Sequence, residues 1–472
     1  MLSTKTNIAY ASGAVPNGIK VDMFTFFLLF FYANVVGLEP GLAGSAIAIA
    51  LLVDAFTDPL IGSISDRTRS SMGRRHPYLF FSFFPIVIGY SFLFAPRPDW
   101  NLSQGELFIW MIFFAVLTRV GMTFFDVPHR ALGGEITKDY DERTYLFSIR
   151  ELFGWLAGLF NAFLGYFIFF ASTPEYPKGQ LNPEAWAPFG YTGASIMGLM
   201  ILISALATLR QGKSLPVWSG AITLRMIFKE MRIALLNRSF VIFFFGCLGL
   251  SIAWGLGNTL TLYVNTYFWQ LSATQITLYL PMYAFSAICA FALAPRLVKQ
   301  FEKKYIILIT MLVTGIFYPL PLVLGYFGLT PPKGTYELVF FLWIFILIGI
   351  TCNIIGNMIR DSMLADIADE VELQSGKRQE GILFAMLGFM AKVNTGLGTA
   401  VAGLVLSLIN FTDTTPTDEQ VFSLILTQGG LVPFLLLIPI VIFSLYSLSR
   451  EQHNKIREPV SYTHLRAHET SI

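Results

Sequence analysis

Residues 50–81 read ALLVDAFTDPLIGSISDRTRSSMGRRHPYLFF, a stretch that fits neither water nor lipid without further argument. An apolar run is interrupted by two carboxylates, Asp54 and Asp58, and a knot of arginines separates it from a second apolar run. Four residues is just over one helical turn, so the two acids share a helix face. In a bilayer each ionised side chain would cost about 2.5–3.5 kcal/mol near mid-depth. Something must compensate for them, and that something is where function enters.

The rest of the chain places this stretch in lipid. Of 472 residues, 54% are hydrophobic and only 13% charged, with 45 Phe against 30 Asp plus Glu. A soluble globular protein carries about 25% charged residues. Mean hydropathy is +0.61. The expected fold class is therefore all-α integral membrane. A span needs roughly 20 apolar residues, and about twelve segments qualify. They cover 8–36, 41–65, 78–96, 105–128, 146–171, 189–209, 239–268, 272–296, 305–328, 337–360, 380–410 and 421–449. The long polar connection after Arg210 divides them into an N-terminal half (8–210), a middle loop (211–238) and a C-terminal half (239–450). A tail follows (451–472), in which the chain from Val460 onward has no helix periodicity and reads as non-native.

Lys and Arg gather on one side of these spans, from Arg67 and Arg75 to Lys303 and Arg378, while the other side offers only Arg97, Lys178 and Lys333. Basic loops stay inside. Both termini are thus expected in the cytoplasm, in a bacterial inner membrane, and the N-terminus lacks the basic start and cleavage site of a removed leader. The net charge of +2 carries no message about nucleic acid. Cys247, Cys289 and Cys352 sit inside apolar segments, with neither disulfide nor metal spacing. No phosphate loop and no nucleophile–base pair stand out, so an enzyme is not expected and no cofactor is implied.

Polar groups inside spans usually face a cavity or a partner. Asp54, Thr57 and Asp58 on the second span and Thr123 on the fourth form an oxygen-rich set that suits a hard monovalent cation, Na⁺ or H⁺. The competing reading makes the two aspartates internal counter-ions of Lys392 and Arg119. Asp126 and Arg150 suggest a second polar centre, since carboxylate and guanidinium both bond sugar hydroxyls in pairs. Trp155 could offer a face to a sugar ring.

The run GSISDRTRSSMGRRHP, with Gly62, Asp66, Arg67, Gly73, Arg74 and Arg75, resembles the loop signature of the major facilitator superfamily. The stretches DVPHRALGGEITKDYDERTYLFSIRE and SMLADIADEVELQSGKRQEGILFAMLGFMAKVNTGLG extend that likeness to its glycoside–pentoside–hexuronide:cation symporters, over residues 8 to about 450. The resemblance implies two six-helix halves and cation-coupled uptake of a sugar, glycoside or hexuronide by alternating access. By likeness to the melibiose permeases of that family, Asp54, Asp58 and Thr123 would hold Na⁺, with Thr57 in place of an asparagine. Asp126 and Arg150 would bind sugar, and Lys392 matches the eleventh-span lysine. The first-span Lys-Asp of those permeases is Asn17-Gly18 here. Asp22 is the candidate substitute, unless Lys20 merely neutralises it. His129 and Arg130 follow the fourth-span proline, so that Arg130 either favours an acidic sugar or pairs with Glu135.

The charged loops look built to close. Asp66, Arg67, Arg74 and Arg75 face a loop carrying Glu135, Asp141 and Arg143, and a second run holds Asp366, Asp369 and Arg378. These are expected to form a cytoplasmic gate that latches the outward-facing state. The partners implied are a small sugar or glycoside, the coupling cation and membrane lipid; the expected assembly is a monomer. Two alternatives stay open: a lysolipid carrier of the same superfamily, and a transport-inactive sugar sensor.

Overall fold

Long apolar runs closed by caps and prolines fold into helices, and among the described residues there is no β-strand. The structure is a computed structural model that describes residues 3–137, 140–213, 235–375, 392–411, 415–453 and 455. In chain order the apolar helices are α1 (Thr4–Val36), α2 (Pro40–Arg67), α3 (His76–Leu93), α4 (Gln104–Glu135), α5 (Tyr145–Phe169), α6 (Pro183–Lys213), α7 (Arg238–Phe268), α8 (Ala273–Gln300), α9 (Lys303–Tyr326) and α10 (Tyr336–Gln374). After the shorter α11 (Gly396–Leu408) comes α12 (Asp418–Ser444); the other 11 are each long and apolar enough to cross a bilayer. The protein is an integral, multi-pass membrane protein.

Local signals explain the helix starts. Ser103 and Glu106 form a reciprocal capping box at α4, with the Glu106 carboxylate accepting from the Ser103 N–H at 2.8 Å. Glu39 caps α2 by accepting from the amides of Gly41 and Leu42 at 3.0 and 2.8 Å. Two helices outrun the spans expected from hydropathy. α4 continues to Glu135 and α10 to Gln374, so the acidic run Asp366–Glu372 is helix and not loop. Hydropathy marks where a helix leaves lipid, whereas the helix itself continues through good helix formers such as Leu364, Ala365 and Glu370. Of the expected span 380–410 only the part from Lys392 lies among the described residues, as do none of the residues from Val460 onward.

Packing divides the chain into two compact units. Unit 1 comprises Met1–Ile222, Gly255–Thr277 and Thr395–Leu424; unit 2 comprises Thr223–Trp254, Leu278–Asn394 and Ile425–Ile472. In unit 1, α4 packs on α2 and α3, α5 on α1, and α11 on α2. The α2–α11 contact depends on glycine. A Cβ at Gly403 would lie 2.5 Å from the Pro40 carbonyl and 2.8 Å from Gly44 Cα, so only hydrogen fits. Trp186, fully buried, anchors an aromatic core with Phe170 at 4.5 Å and Phe31 at 5.0 Å between ring centres. The end of α7 belongs to this unit because Asn34 Nδ2 donates to the Tyr267 hydroxyl at 2.8 Å and Gln180 Nε2 to Thr266 Oγ1 at 3.1 Å. In unit 2, α10 packs on α8 and α9, and α9 on α12, around Phe240, Cys247, Ile307, Ile359 and Phe443.

Candidate functional site

Helices α2 and α4 lie against each other so that Asp54 faces Arg119 and Asp58 faces Thr123. Arg119 Nη2 reaches Asp54 Oδ2 at 2.9 Å, with both side chains almost wholly buried. The Thr123 hydroxyl stands 2.8 Å from Asp54 Oδ1 and 2.8 Å from Asp58 Oδ1. A hydroxyl carries one hydrogen, so it donates fully to only one of these oxygens. Thr57 closes the group loosely, its hydroxyl 3.5 Å from that of Thr123 and 3.3 Å from the Asp54 carbonyl. All four residues expected at the cation site therefore converge. Arg119 converges with them, so the competing ion-pair reading is realised at Asp54. Among the described residues no three His, Cys, Asp or Glu gather as metal ligands. Two carboxylates with hydroxyls suit a hard monovalent ion better than a transition metal.

One turn along α4 lies the second centre. Asp126 is held by two arginines: Arg150 Nη2 meets Oδ1 at 2.5 Å and Arg130 Nε meets Oδ2 at 2.8 Å. Arg150 also donates from Nη1 to Glu151 Oε1 at 2.9 Å, and its Nε is buried without a partner among the described residues. Two carboxylates and two guanidiniums balance within this bonded group, and Lys20 adds a positive charge within Coulombic reach of Asp126. Arg130 does not pair with Glu135 as one reading expected; it pairs with Asp126 within α4, at the i,i+4 spacing that brings side chains together. His129 does not join it as a second cation. Its ring is stacked between Tyr10 at 4.3 Å and Phe125 at 4.9 Å, with Nε2 2.9 Å from Ser204 Oγ, which fastens α4 to α1 and α6.

The remaining expected residues are scattered. Asp22 is buried and accepts from Asn161 Nδ2 at 2.8 Å, while Lys20 lies within Coulombic reach of Asp126. Trp155 is half exposed on α5, one turn from Glu151 on the same face. Lys392 belongs to unit 2. Arg119 was expected only as a counter-ion, and Glu151 and Asn161 were absent from the expected set. The first stands one turn from Thr123 and the second beside Arg150, whereas nothing in the sequence pointed to Asn161.

At the charged end of each unit an ion-pair cluster ties a loop to a helix. Arg75 bridges Asp66 at 2.8 Å and Glu135 at 2.5 Å, and Arg74 reaches Glu135 at 2.8 Å. In unit 2, Lys303 meets Asp366 at 2.5 Å, and His453 Nε2 lies 2.9 Å from Asp369 and 3.6 Å from Asp366. Arg67 is exposed. Arg378 and the side chains of Asp141 and Arg143 lie outside the described residues.

Eleven apolar helices of membrane-crossing length among the described residues, with polar centres buried between them, are the architecture of a membrane transporter of the major facilitator type. A family model described as MFS/sugar transport protein matches residues 9–450, and the chain belongs to that family, within the glycoside–pentoside–hexuronide:cation symporters. It is 27% identical to the uncharacterized symporter YnaJ of Bacillus subtilis (strain 168), over 97% of this chain and 95% of that one. It is 26% identical to the putative glycoside/cation symporter YagG of Escherichia coli (strain K12), over 95% and 93%. Among solved structures, the inward-open xylose transporter XylE from E. coli superimposes with a TM-score of 0.60 at 13% identity, covering 96% of this chain and 98% of that one, a likeness of fold alone. These relatives support membrane symport of a sugar-like substrate.

Proposed function

We propose that the chain couples inward flow of a monovalent cation, Na⁺ or H⁺, to uptake of a neutral glycoside or sugar across a bacterial inner membrane, with its Lys- and Arg-rich end in the cytoplasm. The observation that carries this reading is the Thr123 hydroxyl, 2.8 Å from both Asp54 and Asp58 and three residues from Asp126 on the same helix. An added cation or proton meets three oxygens gathered at one place. Arg119 answers the charge of Asp54, which lowers the charge such an ion has to meet there. A cation drawn to these oxygens fixes Thr123, and with it the turn of α4 that presents Asp126. Sugar bound at Asp126 fixes the same turn from the other side, so each ligand favours the other by the same factor. The two six-helix halves then rock to expose the loaded centre to either side.

The guanidiniums of Arg130 and Arg150 are matched by the carboxylates of Asp126 and Glu151, which favours hydroxyls over a carboxylate, although Lys20 adds one positive charge within Coulombic reach of Asp126. The same charged group disfavours a lysolipid, whose chain needs an apolar groove. The notched pairs Asp66–Arg75–Glu135 and Lys303–Asp366 act as the cytoplasmic gate. The test is gradient-driven uptake of neutral glycosides and of glucuronides into proteoliposomes, for wild type, Asp58→Asn and Thr123→Ala. Both variants are expected to lose uptake driven by a Na⁺ or pH gradient while keeping sugar exchange at equal concentrations. Uptake that still follows the gradient in Asp58→Asn overturns the cation assignment, and equal rates for glycoside and glucuronide overturn the neutral-sugar reading.

A further inference from the structure

Away from both polar centres, a groove of about 290 Å³ opens between α9 and α12. Leu312, Gly315 and Ile316 stand on one side and Phe434, Leu437 and Ile440 on the other, and the lining is wholly apolar. Leu312, Ile316, Phe434 and Leu437 are exposed, so the chain does not close the groove itself. Gly315 makes the opening. A Cβ there would stand 4.0 Å from Leu436 Cδ1, an ordinary contact, so packing does not demand the glycine and its missing side chain is simply space. All these residues belong to unit 2, and none takes part in either polar centre. In a bilayer such a groove is filled by hydrocarbon, because water there would find nothing to bond.

The foot of the groove is charged. Lys304, Leu308, Leu312 and Gly315 fall at i, i+4, i+8 and i+11, along one face of α9. Leu312 and Ile316 therefore lie about 12 and 18 Å above Lys304, and Ile440 and Phe434 about 6 and 15 Å above the end of α12. Half a hydrocarbon layer is about 15 Å, so the groove has the depth of an acyl chain whose head group stands at Lys304. Lys304 is half-buried and, unlike Lys303 beside it, pairs with no carboxylate among the described residues. Arg450, in the segment after α12, is exposed and gives its Nη2 only to the carbonyls of Val298 and Phe301. Its backbone N–H donates to Glu302 Oε2 at 3.0 Å, which sets Arg450 beside the start of α9. The nearby acids Asp366, Asp369 and Glu451 are met by Lys303, His453 and Lys455. Two cations free of carboxylates thus flank the two helices that line the groove. A basic side chain at a membrane surface strengthens binding of an anionic head group about fivefold.

We propose that the α9–α12 groove, with Lys304 and Arg450 at its foot, is a binding site for one anionic diacyl phospholipid of the surrounding leaflet. The lipid phosphate meets the two cations, and an acyl chain lies over Gly315 between Leu312 and Phe434. Bound there, the lipid joins the start of α9 to the segment after α12. It is a resident of unit 2 and not a transported solute, and the inference does not depend on which solute is carried. The test uses full-length protein in a neutral detergent, with radiolabelled dioleoyl phosphatidylglycerol or dioleoyl phosphatidylcholine at equal concentration. Lipid retained by the protein after gel filtration is counted.

Wild type is expected to hold about one phosphatidylglycerol per chain, and to bind it about tenfold more tightly than phosphatidylcholine. Lys304→Gln should weaken phosphatidylglycerol binding about fivefold and leave phosphatidylcholine unchanged, while Lys304→Arg should keep the preference. Gly315→Leu fills the groove and should abolish retention of both lipids. Without added lipid its melting temperature should equal or exceed that of wild type, since leucine is the better helix former. Lys299→Gln, an exposed cation on α8 that does not line the groove, should change nothing. Equal binding of the two lipids, or retention untouched by Gly315→Leu, overturns the proposal. So does a loss in Lys299→Gln as large as that in Lys304→Gln, which would mean diffuse attraction to the charged surface. Soluble glycerol phosphate is the last arm: if it displaces phosphatidylglycerol at equal concentration, the foot takes a free phosphate ester and the lipid assignment fails.

Discussion

Helices α4 and α10 are each tied at the charged end of their own unit by an ion pair, Glu135 with Arg75 and Asp366 with Lys303, nine positions beyond Asp126 and Asn357, yet they are furnished differently. On α4, Arg119, Thr123, Asp126 and Arg130 make a charged stripe whose members are bonded to α2, to α5 or to one another. On α10 the same register reads Ile350, Ile354, Asn357 and Asp361. The places of Arg119 and Thr123 are isoleucine, so α10 has no counterpart of the cation cluster, and amide replaces carboxylate at the level of the sugar centre. The two helices are thus furnished unequally: α4 carries three charged groups and a hydroxyl, whereas on α10 the one charge in that register is Asp361. Charge that must be neutralised each cycle belongs on one unit only, because every extra buried ion adds a desolvation cost of several kcal/mol.

The sharpest way to break this contrast is to compare Asp126→Asn with Asn357→Ala. Neutralising Asp126 leaves Arg150, almost wholly buried, and Arg130 facing each other without their shared carboxylate. Uptake should fall at least 100-fold, with about 3 kcal/mol lost from stability. Asn357→Ala, at an exposed position bonded only within its own helix, should lower uptake less than tenfold and leave the melting temperature nearly unchanged. Equal losses of transport in the two variants, measured side by side in proteoliposomes, would mean that the helices share the work evenly.

Next in size is the buried Arg119–Asp54 pair, which has no equivalent on α10. Asp54→Asn or Arg119→Gln alone should cost about 3 kcal/mol, since each strands a charge in a closed environment. The double substitution should cost less than the sum of the two by about 1–3 kcal/mol. Thermal melts in detergent across the four-member cycle give that coupling directly. Additive losses would show that Arg119 does not act on Asp54, and the cation site would then have to meet both acids itself.

What could be read from the chain alone divides along the same line. The spans and the class of fold were legible because a bilayer forces about 20 apolar residues per crossing, a pattern that needs no knowledge of neighbours. Asp54, Asp58, Thr123, Asp126 and Arg150 were legible because polar atoms in such runs are conspicuous, and their spacing placed them on shared helix faces. Partnerships between helices were not. Arg130 sits equally well in the sequence beside Asp126 and Glu135, and only the rotation of α4 decides between them. His453 was invisible as a partner of Asp369 because 84 residues separate the two.

The clamps at the two charged ends should differ less than the centres above them. Both are part-exposed, and pairs of that kind contribute about 1 kcal/mol or less. Glu135→Gln and Asp366→Asn should therefore each lower stability by about 1 kcal/mol, the former slightly more because Arg74 and Arg75 both lose a partner. Their larger effect should be on the rocking equilibrium. Arg74→Gln combined with Asp369→Asn should change the labelling of cysteine probes at the cytoplasmic and outer mouths in opposite directions. Labelling unchanged at both mouths would reduce the clamps to loop anchors.

The smallest effect lies at the other end of α2, where Glu39 caps the helix and also accepts from Ser407 on α11. Burial acts to raise the Glu39 pKa, but the bonds from Ser407, Gly41 and Leu42 outweigh it and hold the carboxyl below its usual range. A group whose folded value is depressed stabilises the fold fully above its unfolded pKa, about 4.3, and loses that contribution as pH falls through the folded value. Glu39→Ala should cost about 1 kcal/mol at neutral pH, the ordinary worth of an N-cap. The gap between wild type and variant should close as the pH is taken from 5 toward 3. No second-unit residue is bonded in this cap, so Asp366→Asn should leave that acid limb intact. Melting curves that stay parallel down to pH 3 would show that the α2 cap does not depend on the Glu39 charge, and that the packing of Gly44 on Gly403 alone holds α2 to α11.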